Sequence, residues 1–129
     1  MKILPQDCQY TRDDIWLRAE GNGLYTLGLT DFGQNELGEL VYVELPAPDY
    51  PVQIGQSVAV VESVKSVSEV RCPVSGTVVE ANARVGESPT LVNESPYEEG
   101  WIARLRVEEA PENLLSPQQY AQWRRLDES

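Results

Sequence analysis

The apolar residues of this 129-residue chain fall in short runs that alternate with polar residues, and a period of two dictates strands. "IWLRAE" alternates from Ile15, "GNG" turns the chain, and "LYTLGL" alternates again, which predicts a hairpin. "LVYVEL" is a further strand, and "PAPDYP" is too rich in proline to be anything but a loop. "SVAVVES", "SVSEVR" and, after the turn "PVSG", "TVVEAN" continue the series. The turn-like "NESPYEEG" precedes a last strand in "WIARLRV". Helical signals are few. Thr30 and Asp31 are good N-cap types opening "TDFGQNEL", with Phe32 and Leu37 on inner faces and Gly38 at its end. Near the C-terminus Ser116 caps a segment with Pro117 at its first position. Tyr120, Trp123 and Leu126 follow at helical spacing, predicting a helix over about 117–126 packed on the strands.

A weak internal echo, "VQIGQS" from Val52 and "ARVGES" from Ala83, predicts two similar units closing on each other as a flattened barrel or sandwich. The length suits one domain spanning 1–129, and 41% hydrophobic with 24% charged residues suits a packed core.

Ten basic against 21 acidic residues leave a net charge of −11, which argues against nucleic acid or an anionic membrane as partner. No apolar run approaches the roughly 18 residues that span a bilayer. The N-terminal "MKILPQDCQY" lacks a long apolar stretch, so no signal peptide is expected and a cytoplasmic location is. Cys8 and Cys72 form no CxxC motif and are expected as unpaired thiols. The chain has no histidine, which removes the commonest general base and most zinc sites. No catalytic constellation replaces it, so an enzyme is not expected.

One residue stands out against this background. Lys65 and Lys2 are the only lysines, the other basic residues being arginine, and Lys65 sits between "AVVES" and "SVSEV". That places it at the bend of a β-hairpin over about 57–72, with valines such as Val61 pointing inward. A lysine there is either a solvated charge that discourages edge pairing or an accessible site of modification.

The segment "VESVKSVSEVRCPVSGTVVEAN" closely resembles the lipoyl-attachment region of glycine cleavage H proteins. "LGLTDFGQNELGELVYVELP", "LVNESPYEEGWIARL" and "LLSPQQY" follow the same family in the same order, so the likeness runs from Tyr10 to beyond Tyr120. It implies a mainly β, flattened hybrid barrel-sandwich of the lipoyl/biotinyl-carrier type, with short flanking helices and a C-terminal helix. It also implies lipoic acid amide-linked to Lys65. Biotin carriers usually place methionines around their lysine, whereas Val64 and Ser66 stand here. The lipoate-attaching enzyme would read Glu62, Ser63, Val64, Ser66 and Glu69, the two glutamates offering an acidic face. The carrier would have no turnover alone; dihydrolipoamide dehydrogenase would be a further partner.

The likeness breaks just before Trp16. Family members normally carry a His-Glu pair where this chain has Asp14 and Ile15, and the glutamate holds the amino end of the aminomethyl-loaded arm. Asp13, Asp14, Ile15 and Cys72 are therefore the residues expected around the arm cleft, Cys72 standing where a small non-thiol residue is common. Lacking that carboxylate, the chain is expected to resemble the lipoate-binding proteins of bacterial sulfur oxidation, carrying sulfur to a heterodisulfide-reductase-like complex. The alternatives are a glycine cleavage H protein carrying the aminomethyl group, with the glycine cleavage enzymes as partners, and an unmodified interaction module.

Overall fold

The computed structural model describes residues 4–124. Two antiparallel sheets enclose one main apolar core. The larger contains β1 (Cys8–Tyr10), β2 (Ile15–Gly21), β3 (Leu24–Leu29), β5 (Pro51–Val52), β8 (Gly76–Ala81) and β9 (Ala103–Arg106), in the order β1-β2-β3-β9-β8-β5. The smaller contains β4 (Leu40–Glu44), β6 (Ser57–Ser63) and β7 (Val67–Arg71), in the order β4-β6-β7. The expected mainly β sandwich with short helices is what forms, and it is open at its edges.

Alternation decides which side chains enter the core. Val61 pairs with Val43 and Ser68 across the smaller sheet, and Val61 and Val43 are buried against Leu17, Leu27, Val78 and Leu105 of the larger one. The next row, Tyr42, Glu62 and Val67, points to solvent on the opposite face. Along β2, Ile15 and Leu17 enter the main core, whereas Trp16 joins Cys8, Tyr10, Tyr97 and Tyr120 in a second, aromatic core. Not every hairpin valine faces inward: Val64 and Val67 lie beside the turn at 82% and 65% exposure.

The two helices expected from sequence are present. Helix α1 (Asp31–Leu37) starts where the Thr30 hydroxyl accepts from the Gly33 amide at 3.1 Å. It ends at Gly38, whose φ of 88° lies in the left-handed region that glycine tolerates. Leu37 packs against the core, while Phe32 is only partly buried. Helix α4 (Pro117–Arg124) begins with a capping box: the Gln119 amide donates to Ser116 Oγ and the Ser116 amide to Gln119 Oε1. Tyr120 is fully buried and stacks on Tyr10 with ring centroids 4.9 Å apart. Trp123 remains 40% exposed because it leans on Tyr120 from the solvent side, and Leu126 lies outside the described residues.

The internal echo is not a structural repeat. Gly55 of the first copy occupies a left-handed turn leading into β6, whereas Gly86 of the second lies inside α2 (Ala83–Glu87). Asn82 caps that helix by accepting from the Arg84 amide, a local bond that starts a helix where the echo predicts a turn before a strand. Likewise the segment read as turn-like begins in a short helix, α3 (Leu91–Glu94).

This in-and-out assignment predicts opposite outcomes at two hairpin positions. Val61→Asp should cost roughly 3–5 kcal/mol, because its carboxylate would be buried without a partner. Lys65→Ala should change stability by no more than about 0.5 kcal/mol, as an ordinary surface substitution. Chemical denaturation of both variants measures the difference.

Candidate functional site

Strands β6 and β7 meet in a turn whose backbone is fixed by a single hydroxyl. Ser63 is only 4% exposed, and its Oγ accepts from the amides of Lys65 (3.3 Å) and Ser66 (3.1 Å). The Ser63 amide closes the turn by donating to the Ser66 carbonyl at 2.8 Å. Side chain-to-backbone bonds of this kind stabilise a turn locally, so Lys65 is presented from a fixed base although it is itself exposed. Its ammonium makes no ion pair among the described residues.

The lysine does not stand clear of the body. A methyl group placed on Gly38 would lie 3.5 Å from Lys65 Cε and 3.8 Å from Nζ, so the side chain runs along the end of α1. The positive φ and the bare surface at Gly38 both suit glycine. Asn93, on α3, holds this junction from beneath. Its Oδ1 accepts from the Leu40 amide at 3.0 Å, and its Nδ2 donates to the Gly38 carbonyl at 2.9 Å and to Gln34 Oε1 at 2.8 Å. One amide thereby joins α1, the start of β4 and α3 beside the lysine. An acylated Lys65 would find here a firm surface with no side chain at Gly38 to block it, so the residues present fit a lipoyl group.

Glu62 and Glu69 are exposed on the outer face of the smaller sheet, and Glu69 has Arg71 within 3.5 Å. Across the strands Glu62 sits between Tyr42 and Val67, and Val60 sits between Glu44 and Glu69. The lysine is thus bordered by a mixed apolar and acidic sheet face. Val64 and Ser66 are exposed at the turn itself, and the Ser66 hydroxyl lies 3.3 Å from that of Ser63.

Asp13, Asp14 and Ile15, consecutive in the chain, enter three different surroundings, and Cys72 shares the main core with Ile15. Asp13 is exposed and uses its backbone amide to reach Thr11 Oγ1. Asp14, at φ 63°, has a buried carboxylate that accepts from the Tyr120 hydroxyl at 2.7 Å and is gripped by Arg124. Ile15 is 1% exposed, paired with Leu29 and packed in the main core. Cys72 is equally buried, and it lies beyond the far end of β7 from the lysine turn. Burial pushes its thiol up to about 11, which leaves it protonated and inert near neutral pH. Of the expected set, only the turn residues cluster at Lys65.

Gly38 and Asn93 carry the geometry beside the lysine, and Arg124 holds Asp14; none of the three is marked for this by the sequence around it. Only Gly38 had a local signal, as a helix end. Asn93 and Arg124 act across 55 and 110 positions of chain, which no spacing rule encodes.

Comparison with known proteins agrees with this architecture. The family model described as "Glycine cleavage H-protein" matches residues 8–126. A protein of Rubrobacter xylanophilus named glycine cleavage system H protein is 51% identical over 128 residues, covering 99% of this chain and 98% of that one. A like-named protein of Carboxydothermus hydrogenoformans is 44% identical over 122 residues, 93% of each chain. The crystal structure of a glycine cleavage system H protein from Mycobacterium marinum superposes with a TM-score of 0.88 at 33% identity, covering 95% of this chain and 99% of that one. The lysine turn, the two sheets and the full-length likeness together make this chain a member of the glycine cleavage H-protein family.

Proposed function

We propose that Lys65 is the lipoyl-bearing residue of a glycine cleavage carrier, which hands the aminomethyl group left by glycine decarboxylation to the enzyme that removes it. The observation that carries this is the exposed Lys65, without an ion pair among the described residues, on a fixed turn beside Gly38, in a chain whose full-length relatives bear the glycine cleavage name. Lipoic acid is the family's covalent cofactor, and its members are carriers without catalysis of their own. Bound at Lys65, it would supply a cyclic disulfide that opens at the expense of the two electrons of the decarboxylated glycine, leaving one sulfur to hold the transferred group and the other as a thiol.

The chain's own residues do the rest. Ser63 fixes the turn so that the amine of Lys65 is offered at a constant place to the lipoate-attaching enzyme. Glu62 and Glu69, with Tyr42 and Val67 among them, give that enzyme an acidic and apolar face to recognise. Gly38 leaves the end of α1 open for the arm to lie along. Glycine decarboxylase, the aminomethyl-removing enzyme and dihydrolipoamide dehydrogenase are the successive partners, and the place of work is the cytoplasm. No helix among the described residues is long and apolar enough to cross a membrane.

The sulfur cargo expected from sequence gives way to this reading. The relatives compared carry the glycine cleavage name, and none of those names points to a heterodisulfide-reductase-like complex. Both supports for the sulfur reading also weaken structurally. Cys72 is sealed in the core, and Ile15 faces that core and not an open cleft.

The lipoylated protein should therefore support glycine-dependent decarboxylation by glycine decarboxylase as it stands. Ile15→Glu should add nothing and should lower stability, because its carboxylate would enter an apolar core. A wild type that is inert with glycine decarboxylase, and an Ile15→Glu protein that gains activity, would return the sulfur reading to first place. A second check concerns the thiols. Iodoacetamide at pH 8 should leave Cys8 and Cys72 of the folded protein unmodified, since burial pushes them up to about 12 and about 11, and should label both after denaturation. Fast labelling of native Cys72, read by peptide mass, would contradict its burial.

A further inference from the structure

Helix α1 is seven residues long, too short to hold its own position by helix formation. Its placement is set by side chains that reach it from elsewhere, and Gly38, which caps its C-terminus, lies beside the end of the Lys65 side chain. The strongest of these ties comes from the end of the C-terminal helix. The Arg124 guanidinium grips both oxygens of Asp14 with one edge, its Nε donating to Oδ1 at 3.0 Å and its Nη2 to Oδ2. The same group grips both oxygens of Glu36 on α1, at 3.1 Å from Nη1 and 3.0 Å from Nη2. It also lies over the ring of Phe32, another α1 residue, at 5.5 Å. The Arg124 and Asp14 side chains are only 20% and 12% exposed, so water screens this contact poorly.

The anchor for the guanidinium is itself unusual. Asp14 takes a left-handed backbone conformation that a non-glycine residue adopts only when its surroundings hold it. Its carbonyl accepts from the Thr30 amide just before α1, and its Cβ fills the space beside Gly33, where an added methyl would come within 2.9 Å. Asp14 thus fixes the start of α1, and Arg124 extends that hold to Glu36, two residues before Gly38, beside which the lysine rests. A lysine at 124 could supply the charge but not the fork that meets two carboxylates at once.

We propose that Arg124 is a positioning residue for the modified lysine: by tying α1 to Asp14 it sets where the Lys65 side chain, and the group attached to it, lies. The inference rests on Lys65 being the lipoyl site, but its physical content can be read before modification. With ¹³C-lysine labelling the chain gives two Cε signals, from Lys2 and Lys65, and Lys65→Arg identifies the second by its loss.

The experiment compares wild type, Arg124→Gln, Glu36→Gln and Arg124→Lys as full chains, first unmodified and then lipoylated. Amide exchange at Gly38 and nuclear relaxation at Lys65 Cε are the readouts. Arg124→Gln should speed Gly38 exchange by about tenfold, as expected from losing charge-assisted hydrogen bonds. Glu36→Gln, which removes a pair whose carboxylate is 59% exposed, should speed it by about two- to fivefold. Both should raise the mobility of Lys65 Cε. Glu36→Gln is the discriminating variant, because it leaves the bond between Arg124 and Asp14, and hence the seat of α4, in place. The exchange of the Tyr120 amide should stay unchanged in it. Arg124→Lys should restore the two readouts only in part. If melting falls but Gly38 exchange and Lys65 Cε mobility stay as in wild type, Arg124 merely anchors α4 and the proposal is overturned. A change at Gly38 without one at Lys65 overturns it too. Failure of the lipoyl assignment shows separately, as a lipoyl mass on another residue with the unmodified-protein readouts intact.

Discussion

The presentation of Lys65 depends on one constraint: neither sheet can bury its apolar face alone. A sheet that is apolar on one face must bury that face against another layer, and a hairpin alone is marginal in water. Val43, Val61 and Val70 of the smaller sheet find their cover in Leu17, Leu27, Val78 and Leu105 of the larger. Burying a Val or Leu side chain is worth about 1.5–3 kcal/mol, so the lysine hairpin is held by its inward rows and asks nothing of its outward ones. That frees the outer face and the turn to be shaped by recognition. Four large apolar side chains, Val41, Tyr42, Val64 and Val67, can therefore stay exposed around the lysine without cost to the fold.

The second, aromatic core solves a different problem. It fastens the helices to the back of the larger sheet with bonds that are specific as well as apolar. Trp16 donates its indole N–H to the Pro96 carbonyl at 2.9 Å, and the Tyr97 hydroxyl accepts from the Asp31 amide at 2.9 Å. The hydroxyls of Thr30 and Tyr120 meet at 2.8 Å, and that of Tyr120 also donates to Asp14. Helix α1 is thereby caught between the aromatic core at its start and Asn93 at its end. In a chain with a net charge of −11, the arginines that pair inward carry more weight than the surface pairs. The Arg71–Glu69 contact, with both partners about half exposed, belongs to the class worth roughly 0–1 kcal/mol.

What could be read from the sequence was what local rules encode. The hairpin around Lys65 was legible because its apolar residues alternate, and α1 because Thr30 and Gly38 are residues with defined roles at helix ends. Ser116 and Pro117 announced α4 in the same way. The failures have physical reasons. The likeness of "VQIGQS" to "ARVGES" preserved a glycine but not its surroundings, and Asn82 capped the second copy into a helix. Asp14 and Ile15 were read as neighbours of one cleft, yet the turn at Asp14 sends its carboxylate to Arg124 and Tyr120 while Ile15 enters the core. Loss of the expected glutamate was visible in sequence; the direction in which its replacement points was not. Asn93 and Arg124 became meaningful only when folding brought them to α1.

The central claim is that this fold exists to present Lys65 for lipoylation. The direct measurement is peptide mass spectrometry after expression with lipoate and a lipoate-attaching enzyme, on the wild type and on Lys65→Arg. That variant keeps a charge at the turn but offers no amine to acylate. The lipoyl mass increment should appear on the peptide containing Lys65, be absent from that containing Lys2, and disappear in the variant. Lipoyl label on Lys2, or label that persists in Lys65→Arg, would contradict the claim.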